Sequence, residues 1–131
     1  MDPIKLFTAI ALISLPTVMF GGVMALRLLA AEKLTEYQRT YFRAGHAHAG
    51  VLLVMTLATL AILANTGFGD GVRWVVCTLL ALGVIAQSGG MFLNLAIGKP
   101  GKWSAANTLT AFGGLLLAIA MLTTAYGVIV K

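Results

Sequence analysis

His46 and His48 are the chain's only histidines, and they stand two residues apart in the segment Arg43-Ala44-Gly45-His46-Ala47-His48-Ala49-Gly50. The stretch that follows, Val51 to Ala64, is almost wholly apolar. An ionisable side chain at membrane depth is costly to bury and marks a functional pairing by default. Neutral imidazole is the commonest side-chain ligand for metals and a frequent axial ligand of haem iron. The chemistry open to this chain therefore depends on what each ring faces.

On an α-helix, residues two apart are rotated by about 200°. His46 and His48 then point to nearly opposite sides and cannot grip one ion together. Residues two apart share a face only on a strand. With no third histidine, a bis-histidine haem site within one chain is excluded as well. The side of His48 carries Ala44, Met55 and Thr59, with Tyr41 below. That surface is mostly small and suits a flat macrocycle. The side of His46 carries Arg39, Arg43, Gly50, Leu53 and Leu57. There His46 and Arg43 are expected to meet the propionate edge of a cofactor or lipid headgroups. For both rings the alternative is a hydrogen-bonded histidine between helices.

The elements that must position these rings are read from hydropathy. The chain has 131 residues, 60% hydrophobic and only 10% charged, with a mean hydropathy of +0.96. A soluble domain carries roughly a quarter charged residues. Four apolar stretches, at 4–31, 44–65, 72–97 and 105–130, each reach the roughly 20 residues that span a bilayer core. The expectation is an all-α integral membrane four-helix bundle, a single domain over 1–131, multi-pass in the cell membrane. The first stretch is too long for a cleaved signal peptide and is expected to stay. Pro16 should kink it.

The net charge of +5 is expected to serve the flanks of the spans and anionic headgroups, not nucleic acid. Basic residues gather in the first and third connections, at Arg27, Lys33, Arg39 and Arg43 and at Lys99 and Lys102. The positive-inside rule places both of these in the cytoplasm and the termini outside. Ala31 to Arg43 lacks Pro and Gly and is expected to continue as helix beyond the bilayer. Asn65 to Gly71 and Gly98 to Trp103 read as tight turns. Trp74 and Trp103 fall where interfacial aromatics anchor a span. Cys77 stands alone, so no intrachain disulfide forms.

Small and polar residues fall in stripes at helical spacing: Gly83, Gln87, Gly90 and Asn94 on the third span, Asn107, Ala111, Gly114 and Ala118 on the fourth, Ser14, Gly21 and Ala25 on the first. Such stripes let helix backbones approach closely in lipid. Gln87 and Asn94 need hydrogen-bond partners if buried. They are expected to join helices, and they are also the candidates for contact with a substrate. Met55 and Met91 lie at a depth where a second axial ligand could sit, although membrane cores also use Met as filler. No catalytic triad, zinc cluster or phosphate loop is present. The few, peripheral carboxylates disfavour a carboxylate-bridged di-iron site.

Two segments resemble a known family. Arg43 to Met55, a histidine-small-glycine core followed by an apolar span, looks like the second span of styrene oxide isomerase, a small four-helix membrane enzyme. Ser88-Gly89-Gly90-Met91-Phe92-Leu93 resembles that family's small-x-Gly-aromatic-aromatic-Leu stretch. The resemblance implies haem b held by one histidine, a trimer with haem between subunits, and iron acting as a Lewis acid on an epoxide oxygen to give a carbonyl product. Carried onto this chain, it makes His48 the axial ligand. Where the family has an asparagine six residues after the ligand this chain has Val54, and where the family has an active-site tyrosine it has Phe92.

Three functional expectations follow. The first is a membrane haem b protein with an open iron site, serving epoxide isomerisation or another small apolar ligand that arrives from the bilayer. The second is a haem redox carrier, which needs a second axial ligand from Met or from another chain. The third is a cofactor-free accessory subunit.

Overall fold

Mean hydropathies of 1.8 to 2.0 mark all four helices as apolar enough to cross a membrane. The computed structural model describes residues 1–130. The helices are α1 (Pro3–Ala30), α2 (Glu36–Leu63), α3 (Asp70–Ile97) and α4 (Ala105–Ile129). At 28 residues each, α1 to α3 rise about 42 Å, more than the roughly 30 Å of a bilayer core. The architecture is an all-α four-helix bundle.

Local chemistry fixes the helix ends. Asp2 caps α1, its carboxylate accepting from Ile4 N at 2.9 Å, with Pro3 in the first turn. Thr35 and Gln38 form a reciprocal capping box at the start of α2. Ser104 caps α4 by accepting from Asn107 N. Helix α1 runs unbroken through Pro16.

The capping box corrects one expectation. Ala31 to Arg43 is not a continuous helical extension of the first span. The chain turns at Ala31 and Glu32, with Glu32 at φ 51°, and helix resumes only at Glu36. Thr35 offers the backbone an alternative to continued helix by satisfying the free amide of Gln38. Residues 36–43 do extend the second span as helix by two turns.

The core is a seam of Leu52, Leu53, Leu60 and Leu63 from α2, Val76, Cys77, Leu80 and Val84 from α3, and Leu117 and Ala120 from α4. The tightest pairing is α3 with α4; α1 leans mainly on α2 and only lightly on α3. Glycine makes the α3–α4 pairing possible. A Cβ on Gly90 would strike the Thr110 hydroxyl and stand 2.7 Å from Ala106 O. One on Gly113 would strike Gln87 N.

The stripe on α3 lies where expected, with Gly83, Gly90 and Asn94 buried. On α4 the expected stripe is displaced. Ala111 and Ala118 face outward, and the packed line is Ala106, Gly113, Leu117, Ala120, Thr124 and Gly127. Small residues fall at adjacent positions along α4, Gly113 beside Gly114 and Ala118 near Ala120, so two registers have the required spacing. Packing chose the one that places Gly113 against Gln87. Outward faces are strongly apolar: Ile13, Phe20 and Leu26 of α1 are 67–73% exposed in the single chain, a surface suited to lipid.

Candidate functional site

The two histidines diverge as helical geometry requires. His46 turns toward α1, and the pair Gly21-Gly22 receives it. A Cβ on Gly22 would stand 3.0 Å from His46 Nε2 and 3.4 Å from Cε1. The α1 backbone therefore closes over the Nε2 end of that ring. His46 also borders two apolar grooves between α1 and α2, one with Gly22, Ala25, Leu26 and Phe42, the other with Val18, Met19 and Gly50.

His48 lies one helical turn beyond Ala44, and its Nδ1 is 2.9 Å from Ala44 O. A carbonyl can only accept, so Nδ1 carries the proton and donates it. The neutral ring then presents the Nε2 lone pair. Metal-ligating histidines almost always hold the other ring nitrogen in this way, which fixes tautomer and orientation. The ring is half-buried, and its neighbours on the helix, Val51 and Met55, are 58% and 40% exposed. On the other flank Gly45, Leu52 and Thr59 are buried, so His48 stands at the edge of the packed face of α2, with one flank exposed.

The other expected residues divide between the two sides. Arg43 is exposed and borders the same groove as His46. Met55 shares the side of His48 by helical spacing, and it also lines the outward groove that His46 borders. Tyr41 is drawn toward α4, where its hydroxyl donates to Asn107 Oδ1 at 3.3 Å and its ring lies 4.8 Å from that of Tyr37.

Asn94 is fully buried at the centre of a polar knot. Its amide donates to Asn107 Oδ1 at 2.5 Å and to Gly90 O at 3.3 Å, and its Oδ1 accepts from Ser104 at 2.7 Å. The knot ties α3 to the start of α4 and, through Tyr41, to α2. Gln87 packs against Gly113 and Gly114 of α4. Val54 is 56% exposed, and Phe92 meets Phe42 edge-on at 5.8 Å.

One group went unread in the sequence. Thr56 is 5% exposed and its hydroxyl has no hydrogen-bond partner. Its position on the buried face of α2 is legible from helical spacing; its lack of a partner is not.

Among the described residues no group of three His, Cys, Asp or Glu side chains can hold a metal ion. What the chain offers is a single oriented imidazole, a donor set that fits an axial ligand to a metal held mainly by a macrocycle. No protein family, no curated protein and no solved structure matches this chain.

Proposed function

We propose that the chain is an integral membrane haem b protein of the cell membrane, in which His48 Nε2 would hold the iron as the chain's single protein ligand. The observation that carries this reading is the His48–Ala44 hydrogen bond, which occupies Nδ1 and leaves Nε2 as the nitrogen that could meet a metal. The covering of His46 Nε2 by Gly22 favours His48 over its neighbour. Both imidazoles belong to one helix and point apart, which favours an open site over a carrier with two axial ligands.

When bound, the haem iron would supply Lewis acidity, withdrawing charge from a ligand oxygen such as that of an epoxide and favouring rearrangement to a carbonyl. The chain's own residues would orient and shield. Ala44 holds the ring of His48. Val51 and Met55 present an apolar flank to a macrocycle. Val54 and Phe92 have no hydrogen-bonding group, so a substrate beside them would be positioned by apolar contact alone. Asn94 is bonded to Asn107 and Ser104 and Gln87 packs against Gly113 and Gly114, so both would serve to hold the bundle. The exposed flank of His48, at Val51 and Met55, is where a second copy of the chain would cover a cofactor, and the trimer is what the family resemblance implies.

The test is the absorption spectrum of the protein purified in mild detergent. A Soret band with high-spin features, lost in His48→Ala and kept in His46→Ala, supports the reading. Equal retention in both variants, or no band in the wild type, rejects it. A low-spin spectrum points to the redox carrier.

A further inference from the structure

A second feature lies between α1, α2 and α3, where the light contact of α1 with α3 leaves a wedge. The wedge encloses a cavity of about 230 Å³ walled by Ala11, Val18, Leu53, Thr56 and Val84 among others. Ile10 and Ile85 also line it and are 46% and 67% exposed, so its mouth opens to the lipid side between α1 and α3. For scale, an apolar cavity of about 150 Å³ holds a benzene molecule. This one admits a single ring with a short substituent.

The wall is apolar except at three hydroxyls, and these differ in one respect. Ser14 donates to Ile10 O at 2.8 Å and Ser88 to Val84 O at 2.6 Å, each using the carbonyl one turn back. Thr59, on the same helix as Thr56, donates to Met55 O at 2.8 Å. Thr56 does not bond its own helix or any other group. A buried hydroxyl without a partner costs desolvation energy, so such groups call for an explanation. Thr56 lines the cavity with its O–H donor unused, and that donor is open to whatever occupies the space.

We infer that this cavity is a binding site for a small apolar molecule of single-ring size that carries one accepting oxygen, a carbonyl or an ether, and that Thr56 donates to that oxygen. Entry is from the bilayer past Ile10 and Ile85. His48 lines no part of this cavity, and the site's existence does not depend on that residue binding a cofactor.

Acetophenone tests this directly, since it has one ring and one carbonyl and crosslinks to nearby C–H bonds under ultraviolet light. Protein in lipid nanodiscs is irradiated with it, and adducts are mapped by mass spectrometry. Adducts concentrated on Ile10, Leu53 and Ile85 are expected. Ethylbenzene should compete roughly three- to tenfold less well than anisole, which is equal in size, carries an accepting ether oxygen and has no photoreactive ketone; the difference is one hydrogen bond. Thr56→Val should erase that preference, and Ala81→Leu, which fills the wall, should remove the adducts. Adducts spread evenly over lipid-facing residues overturn the inference. So does equal competition by the two molecules on the wild type, which would mean an acyl chain or any apolar filler suffices.

Discussion

Gly22 of α1 and His46 of α2 touch so closely that a Cβ on the glycine would stand 3.0 Å from the imidazole Nε2. The contact seats the first span against the second, with the imidazole of His46 lying between them. Gly22→Ala forces the ring to shift by a few tenths of an ångström, but it also gains the helix propensity of alanine, worth about 1 kcal/mol. The two effects nearly cancel, and stability in a denaturing-detergent titration should change by less than about 1 kcal/mol. Gly22→Leu cannot be absorbed by a ring shift and should cost about 1–3 kcal/mol.

The α3–α4 seam is less forgiving, because what opposes a new side chain there is backbone. A Cβ on Gly113 would run into Gln87 N and stand 2.8 Å from Gln87 Cα. Gly113→Ala should destabilise the bundle by about 2 kcal/mol or more in the same titration. Gly89, two residues along α3 from Gln87, has nothing within 4 Å of a built Cβ. Gly89→Ala should be neutral or slightly stabilising, which makes it the control.

Asn94→Ala removes the hub that Ser104, Asn107 and Gly90 share. It leaves the Ser104 hydroxyl without its acceptor and a void the size of an amide. The expected loss is about 1–3 kcal/mol of stability. Any haem absorption should keep its band positions in this variant, because the knot reaches α2 only at Tyr41, two turns before His48, and His48 is held within α2 by Ala44. Displaced bands would show that Asn94 acts on the site itself.

The sequence made the four helices legible because hydropathy alone decides them, each stretch being long enough to cross a bilayer and bounded by charge or glycine. The split between His46 and His48 was equally legible, since it follows from 100° per residue. The break at Glu32 was written in the sequence as Thr35-Glu36-Tyr37-Gln38, a capping pattern easily overlooked in a polar stretch without Gly or Pro. The stripe on α4 was not decidable. Gly113 and Gly114 are adjacent, Ala111 and Ala118 lie at helical spacing from one of them, and only the partner helix selects between the two. Thr56 lay beyond sequence reasoning because the wedge beside it depends on how lightly α1 meets α3, a tertiary quantity.

The sharpest prediction concerns the ring that Gly22 leaves free. In His48→Gly the imidazole and its Ala44 bond are both lost, while the helix and the His46 contact with α1 stay in place. Under the haem reading, the variant purified alone should lack the Soret band of the wild type. Adding imidazole to the medium, together with haem, should restore a band, because the vacated space beside Val51 and Met55 matches the missing ring. His46→Gly should behave differently: it removes a packing contact, so it should lower stability by about 1–3 kcal/mol yet keep the haem, with no response to added imidazole. If His46→Gly proves to be the variant that loses haem and regains it with imidazole, the α1 backbone must move away from His46 Nε2, and the ligand assignment passes to that residue.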